Sequence, residues 1–261
     1  MDPAQWWATS VTRIEPGVIE HRGIPVQDLI GHTSFSEMIW LMVRGERPQP
    51  QQAALLEAAL VAATDHGPQA PSIAISRMAI TCGVGINSAM ASGVNVLGDV
   101  HGGAGEQCLS LLNEIITRAG SGTEWDAAAE DVVDRLRSQG RHIPGFGHRF
   151  HPVDPRRDPL VGLVEEARDA GVISGLHLLA GLALEGVLAR GRRRGVPMNI
   201  DGATAIIYGE LGFPPPMARG LFILSRSVGI LAHVWEESNA GTRLKGPMPP
   251  SILPTYRPPD D

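Results

Sequence analysis

Four short segments of this 261-residue chain combine titratable side chains with glycine: Asp65-His66-Gly67-Pro68, His101-Gly102-Gly103-Ala104, Pro144-Gly145-Phe146-Gly147-His148-Arg149 and Asn199-Ile200-Asp201-Gly202. Glycine beside histidine lets the backbone approach a ligand closely. It also leaves amide groups near a helix start free to face an anion. The four segments are therefore the first candidates for a functional site.

Each segment also has a purely structural interpretation. His66 fits the C-terminal end of a helix that Gly67 stops, where its charge would stabilise the helix dipole. His101 fits a loop residue that leads into the next helix. Asp201 fits the N-cap of a helix through Ile207, a role that is compatible with catalysis. Each segment taken alone is compatible both with a structural role and with a role in a functional site.

Three histidines close in sequence, His142, His148 and His151, suggest a metal site. However, the chain has no His-Glu-x-x-His motif, and Cys82 and Cys108 do not form a paired ligand motif. Two cysteines are also too few for a disulfide framework, which is typical of a reducing cytoplasm. We therefore predict that the protein binds no metal and is cytoplasmic.

The composition argues against several other classes of protein. A net charge of −6 disfavours a nucleic-acid partner, and no apolar run is long enough to span a bilayer. The first seven residues lack the basic and apolar regions of a secretory signal. One basic run is either a solvated helix C-terminus or a contact for a phosphorylated cofactor: Arg190-Gly191-Arg192-Arg193-Arg194.

Helical periodicity dominates the elements that must position these segments. Apolar spacing and capping residues predict helices over residues 34–43, 49–63, 73–90, 104–118, 125–137, 176–189 and 217–237. The strand signal is confined to one short hairpin over residues 11–19, around Pro16-Gly17. No alternation of strands and helices follows. The predicted fold class is therefore all-α with a short N-terminal β-hairpin.

Taken together and in order, the segments resemble the citrate synthase superfamily. The motifs that carry the resemblance are His101-Gly102-Gly103-Ala104, Gly145-Phe146-Gly147-His148-Arg149 with Asp154-Pro155-Arg156, Asn199-Ile200-Asp201-Gly202, and Ser225-Arg226-Ser227-Val228-Gly229. Thr12-Arg13-Ile14 and residues 22–29 are similar to that family's beginning, so the match runs from about residue 12 to about residue 245. The resemblance implies a helical fold with a large lobe (about 1–110 and 199–261) and a small lobe (about 111–198). It also implies a homodimer or a dimer of dimers, with active sites near the subunit interface.

The short connection between two motifs points to a subgroup. Only residues 49–64 separate Gly45-Glu46-Arg47-Pro48 from Asp65-His66-Gly67-Pro68, where synthases of the family carry a longer helical insertion. The short connection and the Asp65-His66-Gly67-Pro68 motif resemble those of citryl-CoA lyases and of the lyase module of ATP-citrate lyase. The resemblance implies cleavage of citryl-CoA, or of a close 3-hydroxy-acyl-CoA, to acetyl-CoA and a 2-oxo acid such as oxaloacetate. The thioester is then a substrate, and no cofactor is permanently bound.

The resemblance also implies a role for each matching residue. Asp201 exchanges a proton with the acetyl methyl carbon, His101 donates to the thioester oxygen, and His148 handles the proton on the hydroxyl or carbonyl oxygen. Three side chains bind the carboxylates of the 2-oxo acid: His66, Arg156 and Arg226. The loop that lies against coenzyme A consists of Gly145, Phe146 and Gly147. An unpaired Arg226 inside an apolar run would be costly, which disfavours a purely surface role.

One position departs from the pattern. Synthases usually carry an arginine near the C-terminus that reaches the partner subunit's substrate, and this chain has Gly246 there. Arg243 or Lys245 is expected to compensate, which leaves the identity of the 2-oxo acid open. Two alternatives to the lyase also stay open: a condensing citrate or methylcitrate synthase, and an inactive regulatory homologue.

Overall fold

The computed structural model describes residues 2–190 and 195–259. Its β-strands all lie in the N-terminal part of the chain. A short helix α1 (Pro3–Trp6) precedes strands β1 (Thr12–Glu15), β2 (Val18–His21) and β3 (Ile24–Pro25). The strands form an antiparallel sheet in the order β1-β2-β3, with Thr12 opposite His21 and Glu15 opposite Val18. The predicted hairpin is confirmed. The third strand was not expected, because two residues carry no periodicity.

Three helices follow the sheet: α2 (Val26–Leu29), α3 (Phe35–Arg44) and α4 (Pro50–Ala62). The predicted capping box begins α3, since Ser34 Oγ accepts the N–H of Glu37 at 3.3 Å and Glu37 Oε2 accepts the N–H of Ser34 at 2.7 Å. Residues 34–43 and 49–63 were therefore predicted correctly within the usual boundary error.

The prediction of one continuous helix over residues 73–90 is wrong. The structure has two helices there, α5 (Pro71–Thr81) and α6 (Ile86–Asn95). Gly83 between them has a φ of 89°, a left-handed conformation that a helix interior does not allow. The apolar pattern continues across the break because both helices bury apolar side chains, and the turn reverses the chain so that α5 and α6 pack together.

The remaining helices are α7 (Ala104–Gly120), α8 (Trp125–Ser138), α9 (Arg157–Asp169), α10 (Leu176–Ala189), α11 (Ile200–Glu210) and α12 (Pro215–Asn239). Four of them match predicted ranges. Helix α9 was not predicted, because Pro159 in its first turn and its many charged residues obscure the apolar spacing, although proline is compatible with a helix start. The all-α class with a small N-terminal sheet is confirmed.

Two apolar clusters form the core. The larger cluster contains residues of α3, α4, α7 through α11 and the first turns of α12, around fully buried side chains such as Leu112, Ile206 and Tyr208. The smaller joins α5, α6 and α12 through Ala70, Ile73, Ala89, Ile230 and Val234. The boundaries of the two lobes stay a prediction.

Helix α12 is long and apolar enough to cross a membrane by length and composition alone. It also contains two buried charged residues, Arg226 and Glu237, and it packs against α5, α6 and α7. The central helix of a folded core has the same length and apolar composition, so these two properties are weak evidence that α12 crosses a membrane.

Arg190 belongs to the basic run and follows α10. It forms ion pairs with Asp126 and Glu130, both in the first two turns of α8. These contacts fit the interpretation of Arg190 as a residue at a helix end. The rest of the run, residues 191–194, lies outside the described residues.

Candidate active site

A cavity of about 680 Å³ brings together residues from five parts of the chain. Its walls come from the loop after α4, the segment before α7, the loop around residue 150, the start of α11 and the middle of α12. Six of the side chains that the sequence singled out line it: His66, His101, His148, Arg156, Asp201 and Arg226.

The loop after α4 positions His66. Helix α4 ends at Ala62, so the interpretation of His66 as a residue of the helix C-terminus is wrong. Asp65 Oδ2 accepts the N–H of Gly67 at 3.0 Å and shapes the turn that carries His66. Burial lowers the pKa of His66, and the positive charges of Arg156 and Arg226 lower it further. A neutral ring is therefore favoured at neutral pH.

His101 precedes α7 and reaches the first turn of α5. Its Nε2 accepts the backbone N–H of Ser72 at 3.1 Å, and Ser72 Oγ lies 3.0 Å from the same nitrogen. The amide of Ser72 has no partner within its own helix, because it belongs to the first turn. An Nε2 that accepts an N–H carries no proton, so the neutral ring bears its proton on Nδ1. Burial and Arg226 lower the pKa of His101, which favours that neutral form.

His148 has the opposite tautomer. Its Nδ1 accepts the backbone N–H groups of Phe150 and His151, each at 3.0 Å. The neutral ring therefore carries its proton on Nε2. Burial lowers the pKa of His148, and neighbouring positive charge on His151 and Arg156 acts in the same direction. The local turn thus leaves Nε2 as the nitrogen that can exchange a proton with a ligand.

The first turn of α11 carries Asp201. The prediction that Asp201 is the N-cap is wrong, because Asn199 Oδ1 accepts the N–H of Asp201 at 2.9 Å. The capping by Asn199 leaves the carboxylate of Asp201 free to line the cavity. Burial raises the pKa of Asp201, and the charges of Arg156 and Arg226 partly offset that increase.

Three arginines line the cavity: Arg149 is exposed, and Arg156 and Arg226 are the two that the fold shields from solvent. Arg156 binds Asp154 at two points, Nη2 to Oδ2 at 2.8 Å and Nε to Oδ1 at 2.9 Å. Arg226 is 5% exposed, donates from Nε to the carbonyl oxygen of Ala63 at 3.3 Å, and lies over the ring of Phe222. Arg226 keeps both terminal nitrogens outside these contacts, whereas Nη1 of Arg156 also donates to the carbonyl oxygen of Ala62 at 3.4 Å, so Arg156 keeps only the second N–H of each terminal nitrogen. The site is therefore built for an anionic ligand.

The segment Gly145-Phe146-Gly147 packs instead of lining this cavity. The carbonyl of Gly145 accepts the N–H of Asn199 at 3.0 Å, and the N–H of Gly147 donates to Pro197 at 2.7 Å. A Cβ at Gly145 would lie 2.6 Å from Cys108 Sγ, and φ there is 84°. The glycine therefore allows close packing that fixes the start of α11. Contact between this segment and coenzyme A stays a prediction.

The C-terminal residues do not line the cavity of their own chain within the described residues. Arg243 and Gly246 are exposed. Lys245 Nζ lies 2.8 Å from Oε2 of the buried Glu237, which also accepts from Arg77 Nε at 2.6 Å. Lys245 is therefore held in an internal ion pair, so Arg243 is the better candidate of the two to reach another subunit.

Sequence reasoning did not assign His151 and Phe150 to the site, although both line the cavity. Side-chain nitrogens of His66, His148 and His151 all lie within 4.8 Å of one another. Such a cluster is a candidate for a metal ion, but Arg156 and Arg226 face the same space and disfavour a further cation. The only sequence signal for His151 was its spacing, His148-x-x-His151.

The sequence is similar to that of several known proteins. A family model described as citrate synthase, C-terminal domain, matches residues 42–248. The curated citrate synthase of Haloferax volcanii is 29% identical over 197 residues, which is 75% of this chain and 49% of that protein. The chain thus spans about half the length of curated relatives that it matches.

Solved structures give the same picture. The citryl-CoA lyase of Hydrogenobacter thermophilus superposes with a TM-score of 0.83 at 30% identity, covering 98% of this chain and 97% of that one. The citrate synthase of Thermoplasma acidophilum, in a ternary complex with carboxymethyl coenzyme A and oxaloacetate, superposes with a TM-score of 0.69 at 26% identity. That match covers 87% of this chain and 58% of the synthase.

Proposed function

The chain belongs to the citrate synthase family, and on that premise we propose that it cleaves citryl-CoA, or a close 3-hydroxy-acyl-CoA, to acetyl-CoA and a 2-oxo acid such as oxaloacetate. The observation that carries the proposal is one cavity lined by Asp201, His101 and His148. These three groups supply a carboxyl with a raised pKa, a neutral donor and a second proton-transfer group.

The difficult step is the formation of an acetyl-CoA enolate, because the methyl group of a thioester is a very weak acid. His101 donates its Nδ1 proton in a hydrogen bond to the thioester oxygen, where negative charge develops. A neutral imidazole suits this role, since its proton affinity is closer to that of an enolate than an imidazolium's is. The amide of Ser72 holds His101 in the required tautomer.

Two proton transfers complete the reaction. In cleavage, the carbon–carbon bond breaks as Nε2 of His148 takes the hydroxyl proton and the ring becomes an imidazolium, and Asp201 in its protonated form gives a proton to the enolate carbon. Condensation runs the same transfers backwards. Nε2 can take this proton only in the tautomer whose proton is on Nδ1, so the step requires Nδ1 to give up its hydrogen bonds from the amides of Phe150 and His151. Burial of Asp201 raises its pKa and so keeps the acid form accessible.

His66, Arg156 and Arg226 bind the carboxylates of the 2-oxo acid part. The guanidinium group suits this role because its planar fork matches a carboxylate in two parallel hydrogen bonds. Asp154 fixes Arg156, and the carbonyl of Ala63 fixes Arg226. The substrate thioester is the only coenzyme that the reaction needs, so no permanently bound cofactor is proposed.

The lyase is preferred over a synthase on shape. The citryl-CoA lyase of Hydrogenobacter thermophilus superposes with a TM-score of 0.83, whereas the citrate synthase of Thermoplasma acidophilum superposes with a TM-score of 0.69. A condensing citrate or methylcitrate synthase is the second candidate. The names of the curated relatives favour it, among them the citrate/2-methylcitrate synthase of Bacillus subtilis.

We further propose a homodimer or a dimer of dimers. Helix α12 leaves a row of apolar side chains exposed at spacings of four, three and four residues: Leu224, Val228, Leu231 and Trp235. A row of this kind on a central helix is typical of an interface. In such an assembly Arg243 would reach the partner's cavity and supply the cation that Gly246 does not. The two cysteines are free, which supports a cytoplasmic location.

Hydrogen exchange at the acetyl group tests the enolate step. Acetyl-CoA is incubated with the protein and oxaloacetate in D₂O, and deuterium in the methyl group is measured by mass spectrometry. The wild type should incorporate deuterium. Asp201→Asn should lose at least a hundredfold in exchange rate and keep its affinity for the thioester, since a positioned acid–base group contributes roughly 10²–10⁴-fold. Unchanged exchange in the variant would remove Asp201 from the mechanism.

A further inference from the structure

His151 contributes a third imidazole to the cavity, beside the two that the proposed mechanism uses. Its ring centroid lies 4.5 Å from that of His148 and 5.9 Å from that of His66. Its backbone N–H is bonded to Nδ1 of His148, so the turn that fixes the tautomer of His148 also fixes the position of His151.

The three rings surround one point. Because nitrogens of His66, His148 and His151 all lie within 4.8 Å of one another, some point lies no more than about 2.8 Å from all three, which is a hydrogen-bond distance. Arg156 and Arg226 line the same cavity. An acidic oxygen of a ligand would therefore meet three ring nitrogens there, with two fixed positive charges nearby.

The charge of the ligand also has to be matched. Within the described residues, the cavity of one chain holds no cation from the C-terminal segment, since Lys245 is paired with Glu237. Two carboxylates act on the charge of this space: Asp154 is bound to Arg156 and offsets part of its positive charge, and burial raises the pKa of Asp201. A substrate with two carboxylates therefore needs further donors. Gln69, Arg149 and His151 also line the cavity, and His151 is the one whose ring lies beside both His66 and His148.

We propose that His151 donates a hydrogen bond to the carboxylate on the carbon that bears the reacting oxygen, and so determines specificity for 2-oxo acids. The proposal rests on the proposed function. His148 meets the reacting oxygen, and a carboxylate one bond away reaches the space between His66 and His151. His151 thus replaces, within one chain, part of the binding that a tail arginine would supply.

Two substrates isolate this contact. Citryl-CoA carries the carboxylate in question, and 3-hydroxyglutaryl-CoA has a hydrogen in its place but is otherwise the same. In His151→Ala, kcat/KM for citryl-CoA should fall by about ten- to a hundredfold, the usual effect of losing a hydrogen bond to a charged group. The value for 3-hydroxyglutaryl-CoA should stay within about threefold. His151→Gln keeps a side-chain N–H and should recover part of the loss.

The matched control is His142→Ala, because His142 is exposed in the same segment and does not line the cavity. It should leave both kcat/KM values unchanged. Equal losses for the two substrates in His151→Ala would show a structural role, and no loss for either would show no role. Either result overturns the proposal.

A binding measurement separates this inference from the proposed function. Titration calorimetry with oxaloacetate needs no turnover, and its Kd should rise about tenfold or more in His151→Ala but not in His142→Ala. If the wild type cleaves neither thioester but this pattern holds, the lyase assignment fails and the role of His151 stands. Zinc that binds to the wild type in a 1:1 ratio and not to His151→Ala, with an unchanged Kd for oxaloacetate, would indicate a metal site and overturn the inference.

Discussion

Arg156 and Asp154 form a two-point ion pair in which the side chain of Asp154 is 0% exposed and also accepts the N–H of Ile200 at 3.0 Å. One carboxylate therefore holds a cavity arginine and the start of α11 at the same time. Asp201 follows Ile200 directly, so the pair fixes the relative positions of a charge that binds substrate and a group that moves a proton.

Replacing Asp154 by Asn should destabilise the fold by about 3 kcal/mol, since it leaves a partly buried arginine without its counterion. Asp158→Asn is the matched control, because that carboxylate is 73% exposed and its pair with Arg157 contributes about 0–1 kcal/mol. Urea unfolding followed by circular dichroism measures both. Equal destabilisation by the two variants would contradict the structural role assigned to Asp154.

Stability should also depend on pH through Asp154. Burial alone would raise the pKa of Asp154, but the hydrogen bonds and charge of Arg156 lower it to about 2. A lowered pKa means that the folded state holds this proton less tightly than the unfolded state, whose pKa is about 3.9. The contribution is therefore fully present above about pH 4 and is lost as the pH falls through 2. Between those values the free energy of unfolding should fall less steeply in Asp154→Asn than in the wild type.

His233 should act on catalysis through His66. Arg77 is a donor only, and its Nη1 lies 3.2 Å from Nδ1 of His233, so the proton of His233 is on Nε2, 3.2 Å from Oδ2 of Asp65. Asp65 in turn shapes the turn that carries His66. His233→Ala should raise KM about fivefold with a smaller change in kcat, as expected for the loss of about 1 kcal/mol.

Rescue distinguishes positioning from general damage in this case. His233→Gln keeps an N–H that can reach Asp65 and should restore most of the affinity. His32→Ala, at an exposed position outside the cavity lining, is the control and should behave as the wild type. A fall in kcat alone, with no rescue by glutamine, would contradict a role in positioning His66.

A charge in the exposed row of α12 should break the proposed assembly. Leu231 is 44% exposed, and Leu163 on α9 has a similar exposure of 40%. Leu231→Glu should therefore yield a monomer in analytical ultracentrifugation, while Leu163→Glu keeps the wild-type mass. Because Arg243 is proposed to act across the interface, the monomer should also lose activity. A wild type that is already a 27.8 kDa monomer would contradict the assembly.

The sequence predicted much of the site because the family's functional residues lie in short motifs that follow one another in a fixed order. Six side chains that come from residues 66 to 226 line one cavity, as their order suggested. The tautomers of His101 and His148 were not predictable, since each depends on backbone amides whose position only the folded chain defines. His151 was missed for the same reason, because the spacing of two histidines does not say which way a turn points them.

The errors in the fold have a common physical cause. The break between α5 and α6 depends on the conformation of Gly83, whereas the apolar pattern on both sides reads as one helix. The cap of α11 is Asn199 and not Asp201, because Asn199 has the extended backbone of an N-cap and its side chain accepts the N–H groups of Asp201 and Gly202. In each case a single backbone angle or side-chain rotamer decided the outcome, and periodicity does not contain that information.

The products formed from citryl-CoA test the central claim most directly. The purified protein is incubated with citryl-CoA, and in a second reaction with acetyl-CoA and oxaloacetate, and the products are separated by chromatography and identified by mass spectrometry. A citryl-CoA lyase should convert citryl-CoA to acetyl-CoA and oxaloacetate, and should form little free citrate in either reaction. Free citrate and free coenzyme A as the main products of both reactions would contradict the account and identify a synthase.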